Sequence, residues 1–325
     1  MKIRKANKSD KDEILNFCKN TFEWGDYIDR VWDLWESDSS GLLLVSEVLD
    51  NYNLKFHPIA VSHVSICPNN SSWIEGIRVN KKYRNQGIAS SLLKYMLDFV
   101  IKKGIREAGA IVSCNNIPSQ KMLEKQGFYQ LFKFNYYNLI FDKVIKINHL
   151  FPQQEQQKKI GLKSAHPKDI PDIIDYLSNS KVSKYMDNRY FDSWKFYRFE
   201  NTFSCIMSLI NDNKILLIVD EINKINGMLI TNITDNKDDV FYKKPSVQIC
   251  YFDYINEFKY SEIINILISN YSENNLYHSI QFYIPEFINL SNQHHLNSYS
   301  ADHFEQFFLY SKNLYNLNLH KSCNQ

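Results

Sequence analysis

Polar and apolar residues follow two different periods along the chain, and these periods predict its elements. The stretch Trp73–Val79 is rich in β-branched and aromatic residues, which is typical of a strand. Apolar residues then recur at helical spacing from Ile88 to Ile101 and predict an amphipathic helix. The segment between them is polar and basic. We therefore expect a strand, a turn and a helix in succession.

The turn before this helix is predicted to bind a phosphate or pyrophosphate. A helix N-terminus leaves backbone N–H groups without partners and carries the positive end of the helix dipole. A glycine there has no side chain to keep a ligand from the backbone. The pattern R-x-x-G-x-A lacks the features of a P-loop and of a G-x-G-x-x-G dinucleotide fold. The residues expected around the anion are Arg84, Asn85, Gln86, Gly87, Ile88, Ala89 and Ser90.

A second motif follows downstream, in which Asn116, Ser119, Leu123 and Gly127-Phe128 fall in N-x-x-S-x-x-M-L-x-K-x-G-F. By the order and spacing of the two motifs, the chain resembles the GNAT superfamily of acetyl-CoA-dependent N-acetyltransferases. The resemblance implies that the turn grips the coenzyme A pyrophosphate and that the second motif contributes further coenzyme contacts. It also implies that two parallel strands splay apart around the pantetheine arm. The coenzyme contacts added in this way are Ile77, Val79, Asn116 and Ser119.

Glu75 is the candidate catalytic base that the resemblance implies, because glutamates in this strand often serve GNAT enzymes as a base through water. Strand alternation would place Glu75 on the same face as Ile77 and Val79, and an outward-facing surface glutamate is the alternative. A backbone N–H near Val79 would stabilise the oxyanion. Leu123 replaces the tyrosine that often protonates the departing coenzyme. This departure leaves the acid unassigned and keeps a non-catalytic acetyl-CoA sensor as an alternative.

The acceptor amine is expected to lie beside Thr21–Trp35, which contains three tryptophans and four carboxylates. In GNAT proteins this region lines the acceptor pocket. Glu23 and Asp26 would attract a cationic amine, with Trp24 and Tyr27 beside them, although solvated charges are the alternative. The other aromatic residues of this segment can equally form core.

The second half of the chain repeats the pattern of the first. Leu162–Tyr176 aligns with Ile3–Phe17 at a constant offset, and Val247–Tyr254 takes the place of the Trp73 strand. The following turn, Ile255–Glu262, has no glycine and two carboxylates, which would repel a pyrophosphate. We therefore expect an α/β (α+β) chain of tandem GNAT folds, each a mixed, mostly antiparallel sheet flanked by helices. The expected domains are a catalytic domain at 1–148, a linker at 149–160 and a degenerate GNAT-like domain without a coenzyme site at 161–325.

An aromatic, acidic first-helix region followed by a degenerate second copy is also similar to the vertebrate histidine N-acetyltransferase group. That similarity implies a free amino acid as the acceptor, with the N-terminus of a peptide or protein as the alternative. The sequence leaves the acceptor and the oligomeric state open.

Composition and charge limit the classes of partner that we expect. A net charge of +2 over 325 residues gives no long-range field that would favour nucleic acid or an anionic membrane. The six cysteines are scattered without metal-ligand spacing, so no metal is expected. No apolar run is long enough to cross a bilayer, and we expect a cytoplasmic protein that uses acetyl-CoA as its co-substrate.

Overall fold

The computed structural model describes residues 1–22, 25–50, 52, 54–67, 69–141, 161–200, 202–234, 245–255, 260–272, 276–288 and 303–314. Its contacts divide the chain into two compact units, Met1–Gln130 with Leu309–Gln325, and Leu131–Phe308. The elements of the first 130 residues are β1 Lys2–Lys5, α1 Lys11–Cys18, α2 Ile28–Ser37, β2 Leu42–Asp50, β3 Lys55–Cys67, β4 Ser71–Val79, α3 Ile88–Lys102, β5 Glu107–Ser113, α4 Ile117–Lys125 and the start of β6 Tyr129–Ile140.

The remaining elements follow in chain order. They are β7 Gly161–Ser164, α5 Ile170–Asn179, α6 Lys181–Tyr185, β8 Arg189–Asp192, β9 Lys195–Arg198, α7 Thr202–Asn211, β10 Ile215–Val219, β11 Ile225–Ile233, β12 Val247–Tyr254, α8 Tyr260–Ser272, β13 Ser279–Pro285 and β14 His303–Asn313.

The first unit is built on a mixed sheet in which β1, β2, β3 and β4 pair antiparallel in sequence order. Strand β5 pairs parallel to β4, as expected for a strand that returns after the helix α3. The strand beside β5 is β14, and the residues of β14 from Leu309 onward belong to this unit. The predicted fold class, a mostly antiparallel sheet flanked by helices, is therefore confirmed.

Helices α1 and α2 cover one face of this sheet and form its core. Trp32 is fully buried and Trp35 is nearly so, and both pack with Ile14, Ile28 and Val61. Ile28, Trp32 and Trp35 recur at helical spacing on α2, so burial of this stripe fixes the helix against the strands. The packing holds Trp35 against the strands that carry the candidate site.

The second unit repeats this connectivity. Strands β7, β10, β11 and β12 pair antiparallel, and β13 then pairs parallel to β12. The entry to the first helix is repeated as well: Asn7 and Asp10 form a capping box in the first unit, and His166 and Asp169 form one in the second. The predicted offset between the two halves is thus matched by equivalent backbone structure.

One expectation about the middle of the chain differs from the structure. The stretches Phe128–Phe132 and Tyr136–Phe141 predict two separate strands that close the first domain, but a single strand, β6, runs through both and pairs with β13. Lys133 and Asn135 lie within β6 and alternate with its apolar residues, so they do not interrupt the strand. The predicted domain boundary at 148 and the predicted linker 149–160 lie outside the described residues and stay predictions.

Candidate active site

Strands β4 and β5 separate partway along their length. Their parallel pairing joins Ser71 to Glu107, Ser72 to Ala108 and Trp73 to Gly109, and goes no further. Strand β4 nevertheless continues to Val79 and β5 to Ser113. The predicted splay is confirmed, and it leaves an edge of β4 next to a gap between two strands.

A bulge in β4 sets the direction of the side chains at this gap. Glu75 lies opposite His63 of β3, whereas Arg78 lies opposite Val61, so β4 carries an extra residue between these pairs. Gly76 within the bulge has φ +65°, a conformation that favours glycine. A Cβ at Gly76 would lie 2.5 Å from the Trp35 ring, so a side chain would also be excluded by packing.

The bulge overturns one step of the sequence reasoning. Simple alternation was expected to put Glu75 on the same face as Ile77 and Val79. Because residues opposite each other in an antiparallel pair share a face, and His63 and Val61 are two apart on β3, the pairing puts Glu75 and Arg78 on one face instead. That face is the one covered by α1 and α2, where Val61 joins their core.

Glu75 is held by side chains of β3. Its Oε1 lies 3.0 Å from Nδ1 of His63 and accepts a long hydrogen bond of 3.5 Å from the Ser65 hydroxyl. The Glu75 side chain keeps 16% of its exposure, while that of His63 keeps only 1%. His63 and Ser65 therefore hold one oxygen of the carboxylate, while part of the Glu75 side chain stays open to solvent. Sequence reasoning did not find His63, because its role depends on the β3–β4 register.

The predicted anion turn forms where it was expected. Helix α3 begins at Ile88, and Gly87 caps it with φ +75°, preceded by Asn85 with φ +62°. Arg84 is tied to the end of β4 by a 3.1 Å bond from its Nε to the Val79 carbonyl. Within the described residues, no acceptor is found for the backbone N–H groups of residues 86–90. In the part of the chain that the structure describes, a Cβ on Gly87 would meet no atom within 4 Å.

The second coenzyme motif forms the start of α4. The Asn116 side chain accepts a 3.2 Å hydrogen bond from the Ser119 N–H and caps the helix. Gln120 donates at 3.0 Å to the carbonyls of Ser113 and Cys114, which anchors α4 to the end of β5. The N-terminus of α4 is therefore fixed at the end of the splayed strand, with Asn116 exposed. Whether these residues contact a coenzyme stays a prediction.

On the acceptor side, the structure gives Asp26 a different role from the predicted one. Asp26 is nearly buried and forms a two-point ion pair with Arg78, at 2.7 Å from Nε and 3.2 Å from Nη2. The guanidinium also lies over the rings of Phe22 and Tyr27, at 5.0 and 5.2 Å. The charge of Asp26 is thus matched within the protein, and it is not left to attract an amine.

Tyr27 lies at this site, whereas two other predicted acceptor residues are not among those that the structure describes. The Tyr27 ring meets Trp35 edge-on at 6.1 Å, and burial raises the pKa of Tyr27 while the charge of Arg78 opposes that rise. Glu23 and Trp24 lie outside the described residues. Neither a metal-binding group of three His, Cys, Asp or Glu side chains nor a helix with the length and apolarity for crossing a bilayer is found among the residues described.

Comparison with known proteins gives a family match for part of the first unit. The model of the acetyltransferase (GNAT) family matches residues 11–128. A candidate acetyltransferase from Thermoplasma acidophilum is 18% identical with a TM-score of 0.54, over 96% of this chain and 100% of that one. A GCN5-related N-acetyltransferase from Sphaerobacter thermophilus is 12% identical with a TM-score of 0.60, over 96% and 95%.

A GCN5-related glucosamine N-acetyltransferase region of a fungal multi-domain protein is 11% identical with a TM-score of 0.56, over 96% of this chain and 38% of that one. No curated protein matches the chain. At these identities the solved structures share the fold alone, and the family match covers the splayed strands, the anion turn and most of the second motif. Residues 11–128 are therefore an acetyltransferase domain of the GNAT family.

Proposed function

We propose that the first unit transfers the acetyl group of acetyl-CoA to a primary amine of a small molecule such as an amino acid. The observation that carries this proposal is Glu75, a carboxylate held by His63 on the strand that leaves the parallel pair. At the end of the same strand lies a helix N-terminus with unpaired N–H groups. Such an arrangement offers a base and an anion site along one edge.

The chemistry requires three elements. An amine must lose a proton before or during attack, an oxyanion must be stabilised, and the departing thiolate must gain a proton. For the first, Glu75 is the base, directly or through water. For the second, the candidate oxyanion donor is the backbone N–H of Val79. The next N–H along the strand, that of Asn80, donates to the Ile59 carbonyl of β3 at 2.9 Å. Because successive N–H groups of a strand point to opposite edges, the Val79 N–H faces the gap and suits the oxyanion.

The third element needs no dedicated side chain. Leu123, which stands where the family usually has tyrosine, is 2% exposed and packs in the core. Other side chains nearby in sequence could serve as the acid, and nothing in the sequence ranks them: Tyr83, Ser113, Ser119 and Tyr129. A thiol has a pKa of about 8.5, so a thiolate leaves without obligatory protonation by the protein and water can supply the proton.

We also propose that the second unit, which contains most of the degenerate GNAT-like domain expected over 161–325, holds no coenzyme. Its strand β12 is buried along its whole length, whereas β4 is partly exposed from Ile77 to Val79. The Ile255 N–H donates to Asn226, as Asn80 does to Ile59. The preceding N–H, of Tyr254, is then the counterpart of the Val79 donor, and it donates to the Tyr260 hydroxyl at 3.2 Å.

The test is release of free thiol from acetyl-CoA with a panel of amino acids, polyamines and peptides. We expect Glu75→Gln, which keeps the shape and removes the basicity, to lower kcat by about a hundredfold at neutral pH. The loss should shrink at high pH, where more of the amine arrives neutral. Acetyl-CoA affinity should change little.

Glu13→Gln is the matched control, because Glu13 also contacts a histidine, His57, at 3.1 Å but lies on α1. If Glu75→Gln keeps wild-type activity, Glu75 is not the base. Binding of acetyl-CoA without thiol release for any acceptor would instead support a sensor.

A further inference from the structure

The guanidinium of Arg78 is held on one edge and open on another. Its Nε and Nη2 donate to the two carboxylate oxygens of Asp26 at 2.7 and 3.2 Å, and its Nη1 donates to the Ile77 carbonyl at 3.3 Å. A guanidinium has five N–H donors, so one N–H on each terminal nitrogen remains. The Tyr27 hydroxyl interacts with the guanidinium. Among the residues that the structure describes, no other acceptor reaches these two N–H groups.

The two remaining N–H groups form the outward edge of the guanidinium. Asp26 occupies the edge that Nε and Nη2 share, and the Ile77 carbonyl lies back along the chain. The rings of Phe22 and Tyr27 lie over the guanidinium, at 5.0 and 5.2 Å from its central carbon. The Arg78 side chain keeps 15% of its exposure, and the uncovered edge is the part left to solvent. Two N–H groups on such an edge match the two oxygens of a carboxylate.

The fold itself does not require a cation at this position. Arg78 is the last residue but one of β4, and Asp253 holds the same place in β12 of the second unit. Asp253 is buried and accepts hydrogen bonds from the hydroxyls of Ser180 and Tyr251. The second unit therefore fills this place with the opposite charge and satisfies it internally. A guanidinium with an open edge is a feature of the first unit alone, and folding does not explain it.

The open edge lies one short molecule away from the candidate base. Arg78 and Glu75 share a face of β4, opposite residues that are two apart on β3, and such positions are about 6.5 Å apart. Burial raises the pKa of Tyr27, the charge of Arg78 lowers it and that of Glu75 raises it, so both charges act on this hydroxyl. An α-amino acid carries its amine and carboxylate on one carbon. With a hydrogen bond of about 2.9 Å at each end, it fits this separation.

We propose that Arg78 binds the carboxylate of the acceptor and thereby restricts the substrate to free α-amino acids. This inference rests on the proposed function. The outward N–H groups of Nη1 and Nη2 each donate to one carboxylate oxygen, while the pair with Asp26 keeps the guanidinium oriented. The amine on the adjacent carbon then lies toward Glu75. An amine without a carboxylate, or a peptide whose carboxylate lies far from its amine, makes no such pair of hydrogen bonds.

The experiment measures the preference for a carboxylate over a carboxamide. Thiol release from acetyl-CoA is followed with single proteinogenic amino acids, and the best acceptor is compared with its own carboxamide at the same pH. We expect kcat/KM of wild type to be about tenfold or more higher for the acid, mainly through KM, because the carboxamide loses charge-assisted hydrogen bonds. Arg78→Lys keeps a positive charge beside Asp26 but has no fork, so the preference should fall to about twofold or less.

Arg4→Lys is the matched control, because Arg4 also makes a two-point ion pair, with Asp10 at 2.7 and 2.8 Å, but lies on β1. It should keep the wild-type preference. If Arg78→Lys does not fold, Arg78→Gln combined with Asp26→Asn replaces the ion pair with a neutral one and gives the same readout.

The inference is refuted if wild type acetylates the acid and the carboxamide equally well, if it accepts only polyamines or peptides, or if loss of the guanidinium leaves the preference unchanged. Failure of the proposed function is a different result. In that case wild type releases no thiol with any amine, or Glu75→Gln has no effect.

Discussion

Replacing Gly87 with valine tests the anion turn directly. Gly87 caps the start of α3 with φ +75°, and none of the described residues has an atom within 4 Å of the position of its missing Cβ. Valine there costs backbone strain of roughly 1–3 kcal/mol, because a β-branched residue disfavours positive φ. It also fills the volume in front of the helix N-terminus.

The effect on affinity follows from the hydrogen bonds that this volume would hold. Hydrogen bonds to charged groups contribute about 1.5–3 kcal/mol each. Because about 1.4 kcal/mol is a tenfold change in affinity, loss of one bond weakens acetyl-CoA about tenfold and loss of two about a hundredfold. Calorimetric titration of the folded variant with acetyl-CoA measures this directly.

Gly104 supplies a control for strain. It follows the same helix at the other end, with φ +74° and, among the residues described, no atom within 4 Å of its missing Cβ. Gly104→Val should therefore lower the melting temperature about as much as Gly87→Val, yet bind acetyl-CoA like wild type. If the two variants bind acetyl-CoA equally well, the turn is not the pyrophosphate site.

Two further predictions concern stoichiometry and stability. Excess acetyl-CoA should saturate one site per chain in calorimetry, because the Tyr254 N–H of the second unit is already bonded to Tyr260; a stoichiometry of two would contradict this. Arg78→Met should lower the free energy of unfolding in urea by about 3–5 kcal/mol, because it leaves the nearly buried Asp26 without its partner. Adding Asp26→Asn should recover part of that loss, and an equal loss in the double variant would mean that the pair is not the cause.

Local patterns predicted the parts of the site that local chemistry determines. The start of α3 at Ile88 follows from apolar periodicity and a glycine before it. The offset between Ile3–Phe17 and Leu162–Tyr176 is matched by equivalent capping boxes, because capping depends on residues three apart. These features need no knowledge of distant partners.

Pairing between distant residues determines the rest. Asp26 and Arg78 are 52 residues apart, and a carboxylate in an aromatic, acidic segment looks solvated or ligand-binding until its partner is known. The placement of β14 beside β5 joins strands almost 200 residues apart. Neither relation leaves a periodic signal, so sequence reasoning assigned Asp26 to the acceptor and closed the first domain with β6.

Gly76 connects the features of the site that sequence reasoning missed. Its positive φ allows the extra residue in β4, and the bulge turns Glu75 toward His63 on the face that α2 covers. Its missing side chain lets the Trp35 ring lie against the strand, 2.5 Å from where a Cβ would be. The same ring stacks on His63 and fixes the imidazole. In W-I-E-G-I-R-V the glycine looks like a weak point in a strand, but the register and the tryptophan make it the residue that orients the candidate base.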